Sequence, residues 1–531
     1  MLAASTHPDE IPVNLLVPLA CLSLAQAAEE KGGSAPPAGG FRIPENPAYT
    51  IVDSAIDSLR FTAEKTLRKD SKGHLVSISS FVNPEGEVMG WHDFGNLEGP
   101  GWAANAVGGA YELYAWGRLL DHGEWNWEEK ALSILDHVLE CGFVDEKTGF
   151  ITGYRDTVKD QLCLNYKHDS KWFCPGSMAK IAFQMLVFAD ELDAEARSFG
   201  PGLKGGDLEA LARRLRAIAV KTGTWCRDRV PSCENGWFPR RMTPSGEIYR
   251  KTPEGGDDRF WQTSADGLFI LQLWAGLAKR GVADHKERLA EKTSVFMGAG
   301  GIFGSINHDT YDPHESVAHA VAFRTLLEVS RVLGSDAIRD FAYDKCLAGL
   351  DRFQMAEDRN GVATRGLLYM EKSWPTAYLW ENAEAALAWF EAAMDLREKK
   401  PEVSKRHELD GLTVLRAIAK HHHGPHGFLT EGVDWSNHVG EKHHIRGEKY
   451  GDIQYTEPFL NNQHIAEPTL YYLRNLARTP SIEDVMAWED CEGHRILDVQ
   501  IYEARPERPP DSKYRFLRLI GRRASVFIRT P

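Results

Sequence analysis

The feature that most constrains this chain is a unit that recurs six times along it. Each unit opens with an amphipathic helical stretch and turns at a glycine, which an apolar or aromatic residue usually follows. A polar, aromatic loop comes next, and a second helical stretch richer in alanine and aromatics closes the unit. The glycine segments are Lys72-Gly73-His74-Leu75, Thr148-Gly149-Phe150, Asn235-Gly236-Trp237-Phe238, Gly300-Gly301-Ile302-Phe303, Asn360-Gly361-Val362 and His426-Gly427-Phe428. From Gly73 to Gly427 they are 76, 87, 65, 60 and 66 residues apart. A period of this size marks stacked supersecondary units. The glycine supplies the positive φ of the turn out of the first helix, and the residue after it begins a short extended segment.

The first helices are expected at roughly 47–68, 124–142, 206–227, 283–297, 335–355 and 405–421. The second helices are expected at roughly 101–120, 175–193, 264–280, 315–333, 376–396 and 465–478. The second set carries little charge, as in Trp102 to Leu120, Phe269 to Ala278 and Ala383 to Phe390. A helix apolar on all sides is buried on all sides, which puts the second set in an inner ring and the first set outside. The expected fold is therefore all-α: an (α/α)6 toroid with short β extensions and a small C-terminal tail. The loops before the inner helices then converge at one mouth, where helix N-termini favour anionic groups.

Hydrophobic residues make up 43% of the 531 and charged residues 26%, enough apolar material for a large core. The net charge of -14 lacks the basic surface that phosphate neutralisation needs, so no nucleic-acid partner is expected. The apolar run Ile11 to Leu24, followed by Ala25-Gln26-Ala27, reads as a signal peptide with an atypical acidic start. It implies a secreted or periplasmic protein, and the run is too short to span a bilayer. Residues 1–45 are thus set apart as leader and linker, 46–480 as the toroid and 481–531 as a C-terminal appendage with strands near 497–502 and 514–519. Cys163 with Cys174 and Cys226 with Cys233 are the candidates for local disulfides. There is no C-x-x-C or H-E-x-x-H, so neither a metal nor a cofactor is expected.

The mouth loops interleave carboxylates with aromatics and histidines. Glycosidic-bond chemistry needs one carboxylic acid to protonate the leaving oxygen and a second carboxylate to activate water or attack. The candidates are Asp93, Asp266, Glu381 and Glu315. Trp102, Trp261 and Trp380 are candidate sugar platforms, and His92, Asp169, His314, His438 and Glu457 are candidate hydroxyl partners. Lys167, Arg259 and Arg365 are placed to hold a uronic carboxylate. Structural roles compete. Asp312 and Glu315 have the N-cap and N3 spacing of a capped helix, Asp266 sits at a helix start, and Glu457 stands before Pro458 at a strand end. His421-His422-His423 reads as the solvated, positive end of an outer helix, and His443-His444 as surface loop.

The segment His92-Asp93-Phe94-Gly95 resembles the His-Asp-x-Gly segment of unsaturated glucuronyl hydrolases, within the six-hairpin glycosidase-like superfamily, over roughly residues 47–478. The resemblance implies an active-site role for Asp93. It also implies a second catalytic Asp at the next inner helix, but that helix opens Phe173-Cys174-Pro175-Gly176-Ser177, and Asp169 is the nearest acid. Trp374 to Glu384 resembles a segment of sugar 2-epimerases, which use paired histidines; His314 and His464 would be such a pair. Glycoside hydrolysis is the expected activity on a carbohydrate substrate. The alternatives are a polysaccharide lyase using Tyr311, His314, His438 and Asn437, an epimerase, and a non-catalytic sugar-binding protein.

Overall fold

A computed structural model of the chain describes residues 51–477 apart from 79–80, 90–96, 103, 121–124, 167–169, 200–202, 305, 307–311 and 424–426, together with short strands between 488 and 529. The leader and linker expected in residues 1–45 lie outside this range. Six helical hairpins follow one another. They are α1 (Ile51–Phe61) with α2 (Ala106–Leu119), α3 (Trp127–Glu140) with α4 (Pro175–Phe199), α5 (Leu203–Arg229) with α6 (Gly267–Lys279), and α7 (Lys286–Gly298) with α8 (Ser316–Leu333). In the fifth, α9 (Asp336–Phe341) runs through a wider turn (Ala342–Leu347) into α10 (Ala348–Leu350) and is followed by α11 (Leu379–Leu396). The sixth is α12 (Pro401–Ala419) with α13 (Ala466–Asn475). No helix among the described residues is long and apolar enough to cross a membrane.

The second helices of the units form the inner ring. α2 packs on α4, α4 on α6, α6 on α8, α8 on α11, α11 on α13, and α13 returns to α2, so the ring closes. Each outer helix after the first lies against the inner helix that precedes it in the chain, most extensively α5 on α4, α12 on α11 and α3 on α2, and α1 lies against α13. Burial follows the composition. Every residue from Gly267 to Leu277 and from Leu379 to Phe390 is buried, whereas α3 buries one stripe, Trp127, Ala131, Ile134, Leu135 and Val138, at helical spacing.

All six repeat glycines, Gly73, Gly149, Gly236, Gly301, Gly361 and Gly427, have positive φ. At Gly149 a second constraint applies: a Cβ there would stand 2.4 Å from the backbone of Lys221 and Thr222 in α5.

A chain of short bridges laces the ends of the inner helices together. Ser264 pairs with Gly304, Phe303 with His314, Glu315 with Glu371, residues 376–378 with 432–434, Val82 with Thr456, and Ile78 with Glu98. The lacing is tight where α4 meets α6. A Cβ on Gly176 would come within 2.2 Å of the Asp266 carbonyl oxygen. Overpacking against backbone costs about 1–3 kcal/mol, so Gly176→Ala is expected to lower the unfolding free energy by that amount in a urea titration.

Three expectations are corrected. None of Cys163, Cys174, Cys226 and Cys233 is in a disulfide, so neither local bridge forms. His421, His422 and His423 are buried rather than solvated. The chain turns inward after α12, Asp452 takes His421 Nδ1 and His423 Nε2 at 2.6 Å each, and His422 Nδ1 meets Ser54 Oγ at 2.9 Å. Against its burial, the two imidazoles hold Asp452 well below the usual carboxylate range. His444 is likewise buried, with Nε2 3.1 Å from Asp434 Oδ2. In the tail, residues 499–502 and 514–517 flank 525–529 in an antiparallel sheet.

Candidate functional site

The first turns of the inner helices converge on the axis of the ring. Trp102, just before α2, meets Phe269 of α6 and Trp380 of α11 edge to face, each at 5.4 Å between ring centroids. Lys180 of α4 reaches over them, its Nζ 4.2 Å from the Trp102 ring, 5.7 Å from Trp380 and 5.8 Å from Phe269. Burial lowers the Lys180 pKa, with Glu384 opposing the shift. Trp102 and Trp380 were expected as open platforms. They are 5% and 3% exposed and serve as a buried aromatic floor, because inner-ring helices bring their first-turn side chains together at the centre.

Acids stand at the starts of three inner helices. Asp266 stands at the start of α6 and does not cap it: its Oδ2 accepts from the Ser264 hydroxyl at 3.0 Å. Its Oδ1 has no hydrogen-bond partner among the described residues. Burial pushes the Asp266 pKa up to about 7, against the pull of Arg240, the Ser264 hydrogen bond and Arg241. Those arginines are themselves engaged by Asp258, Arg241 at 2.5 Å and Arg240 at 3.4 Å. A carboxyl with a raised pKa, held by one oxygen and without a hydrogen bond at the other, can donate a proton at neutral pH.

Glu315 and Glu381 belong to the next two inner helices. The expected N-cap and N3 pairing of Asp312 with Glu315 does not form, because α8 begins only at Ser316. Glu315 Oε2 instead accepts from the backbone N–H of Ile306 at 2.7 Å. The Ser316 hydroxyl donates to Glu381 Oε2 at 3.2 Å. Glu371 joins them, accepting from the Asp312 N–H and the Ser373 hydroxyl, each at 3.0 Å. All four carboxylates are at most 2% exposed. Beside them, His438 is exposed and lies against Trp374, with ring centroids 4.0 Å apart.

Other predicted residues fall elsewhere. His314 lies beside Phe303 and His319, which stack directly on each other at 3.9 Å; its Nδ1 is 3.2 Å from His319 Nε2, and burial lowers its pKa. Arg259 is exposed and lies over its neighbour Phe260, and Trp261 lies under Arg250 at 4.1 Å. Arg365 is exposed on a turn where its own N–H donates to Asp358. Glu457 is buried ahead of the turn 458–462 and accepts from the Asn461 side chain. His92, Asp93 and Asp169 lie outside the described residues, as do Tyr311 and Lys167.

Beneath the floor is a buried ionic network that the sequence reading missed. His464 stands between Glu112 Oε1 at 2.9 Å and Glu384 Oε1 at 3.2 Å. Glu384 also takes Arg324, whose Nε meets Glu391 at 3.0 Å, and the Gln463 amide donates to Glu112 at 2.8 Å. Burial works against charge on His464, yet the two carboxylates push its pKa up to about 10. Burial raises Glu112 to about 7, whereas Arg324, His464 and Lys180 hold Glu384 low against its own burial. His464 is therefore a fixed cation at neutral pH, held by Glu112 and Glu384, whereas His314 lies against His319. The available signal was a lone charge inside an apolar helix: Glu112, Lys180 and Glu384 each break such a run.

No protein-family model matches the chain, and no curated protein matches it in sequence. Solved structures similar to it include a cellobiose 2-epimerase from Bacillus thermoamylovorans, at 12% identity over 79% of this chain and 98% of that one, with a TM-score of 0.49. A D-mannose isomerase is 10% identical over 79% and 96%, with a TM-score of 0.49. The unsaturated glucuronyl hydrolase of Bacillus sp. GL1 is 14% identical over 80% and 96%, with a TM-score of 0.42. By its own helix contacts, the chain is a six-hairpin (α/α)6 toroid.

Proposed function

We propose that the chain is a carbohydrate-active enzyme that hydrolyses a glycosidic bond at the mouth of the ring. The observation that carries this reading is Asp266, a buried carboxyl at an inner-helix start whose pKa lies near 7 and whose Oδ1 is unengaged. In this reading Asp266 protonates the leaving oxygen, and Glu381, oriented by Ser316, is the second carboxylate that attacks or activates water. Trp374 with the exposed His438 supplies a rim for the sugar.

A panel of neutral and uronate-containing oligosaccharides tests the proposal. New reducing ends are expected from at least one of them, without the ultraviolet absorbance of an unsaturated uronate. Glu381→Gln is expected to lower kcat by about 10²–10⁴-fold, the range for a lost acid–base group. Absorbance growth without a proton-donor requirement points to a lyase, and undiminished turnover in Glu381→Gln removes its assigned role.

A further inference from the structure

Away from the mouth, two pairs of side chains share one spacing. Asp70 and His74 are four residues apart in the turn between the strands 67–69 and 75–77, and His137 and Cys141 are four apart at the end of α3. On a helix that spacing puts both groups on one face. The two pairs meet. Asp70 Oδ2 lies 2.8 Å from His137 Nδ1, 3.3 Å from His74 Nδ1 and 3.3 Å from Cys141 Sγ. One ligand atom from each of the four residues falls within 4.8 Å of all the others. With Zn–N and Zn–O bonds of about 2.0–2.1 Å and Zn–S of about 2.3 Å, a tetrahedral zinc site sets its ligand atoms about 3.3–3.6 Å apart.

We propose that Asp70, His74, His137 and Cys141 bind one zinc ion in a closed tetrahedral site that ties the first hairpin's turn to the second outer helix. The surroundings have the character of a metal site's outer layer. Each histidine turns its far nitrogen toward a carboxylate: His137 Nε2 is 3.5 Å from Glu98 Oε1, and His74 Nε2 is 3.5 Å from Glu140 Oε2. With Nδ1 bound to the ion, the one proton left on each neutral ring sits on Nε2 and faces these carboxylates. The other Asp70 oxygen is already engaged, because Oδ1 accepts the backbone N–H groups of Lys72 at 2.8 Å and His74 at 2.9 Å. A carboxylate oxygen offers two lone pairs, and three side chains press on Oδ2. A cation among them relieves that crowding. One carboxylate and one thiolate also balance its two charges, which matters where His137 is 1% exposed.

Binding is balanced simply. The Cys141 thiol gives up its proton and the thiolate sulfur bonds to zinc; His137, whose Nδ1 donates to Asp70, moves that proton to Nε2 as Nδ1 takes the ion, so one proton leaves per ion. No local zinc motif marks the site in the sequence, because His74 and His137 are 63 positions apart.

The test uses the full chain stripped of metal and titrated with Co²⁺. A thiolate-to-cobalt charge-transfer band and tetrahedral visible bands are expected, saturating at one equivalent and bleached by Zn²⁺. Elemental analysis after gel filtration is expected to give one zinc per chain. Cys141→Ser is expected to lose the charge-transfer band, and Glu98→Gln to weaken zinc binding by about 10–100-fold. A folded wild-type chain that gives no cobalt band and retains no zinc overturns the proposal. So does a charge-transfer band that survives in Cys141→Ser. The wild-type titration keeps the test decisive where a variant does not fold.

Discussion

Asp266→Asn is expected to lose turnover by about 10²–10⁴-fold while making the protein more stable above pH 7. The two effects have one cause. In the unfolded chain this carboxyl ionises near its ordinary value of 3.8, but in the folded protein burial holds the proton until about pH 7. Between those values the folded state binds more protons, so stability falls as pH rises through this window and stays low above it. Asparagine does not ionise and removes the fall. The variant is expected to gain roughly 2–4 kcal/mol at pH 8 and little near pH 4, read from urea titrations at the two values. A carboxyl kept for structure alone behaves in the opposite way, and its loss destabilises at every pH. An Asp266→Asn protein that is weaker than wild type at pH 8 and still turns over contradicts the role.

The second large effect belongs to the network below the floor. His464→Ala leaves Glu112 and Glu384 buried with their shared cation gone, and breaking a buried pair in this way costs about 3–5 kcal/mol. The pH dependence has a definite direction. The folded pKa of His464 lies near 10 and the unfolded value near 6.5. Its contribution is therefore full below about pH 6.5, declines as pH rises and is gone once pH passes about 10. The gap between wild type and His464→Ala in thermal or urea unfolding is expected to be wide at pH 6 and to narrow toward pH 10. A gap that is constant with pH indicates lost packing rather than lost charge.

The ring was legible in the sequence because both of its signals are local. Gly149 and its five counterparts answer to backbone geometry within a few residues, and the all-round apolar runs of α6 and α11 answer to burial on every face. The polar axis was harder to see. Glu381 stood out as a charge in the fifth inner helix, yet Glu384, one turn further along the same helix, is the residue that binds His464 and Arg324. Helical spacing puts both on one side, but only the neighbouring helices reveal which charges have partners. The three histidines after α12 were misread for the same reason. Their placement was judged against the helix dipole nearby, while the deciding partner, Asp452, lies 29 residues beyond His423. Trp102 and Trp380 were identified by type, but their burial depends on Lys180 and Phe269 arriving from two other helices.

The most direct measurement is the pH dependence of kcat/KM on whichever oligosaccharide releases reducing ends. A proton donor near pKa 7 predicts a rate that falls about tenfold per pH unit above that point, and Asp266→Asn should lack that limb along with most of the activity. A rate that stays level from pH 6 to 9, or an Asp266→Asn enzyme that keeps the wild-type profile, contradicts the account.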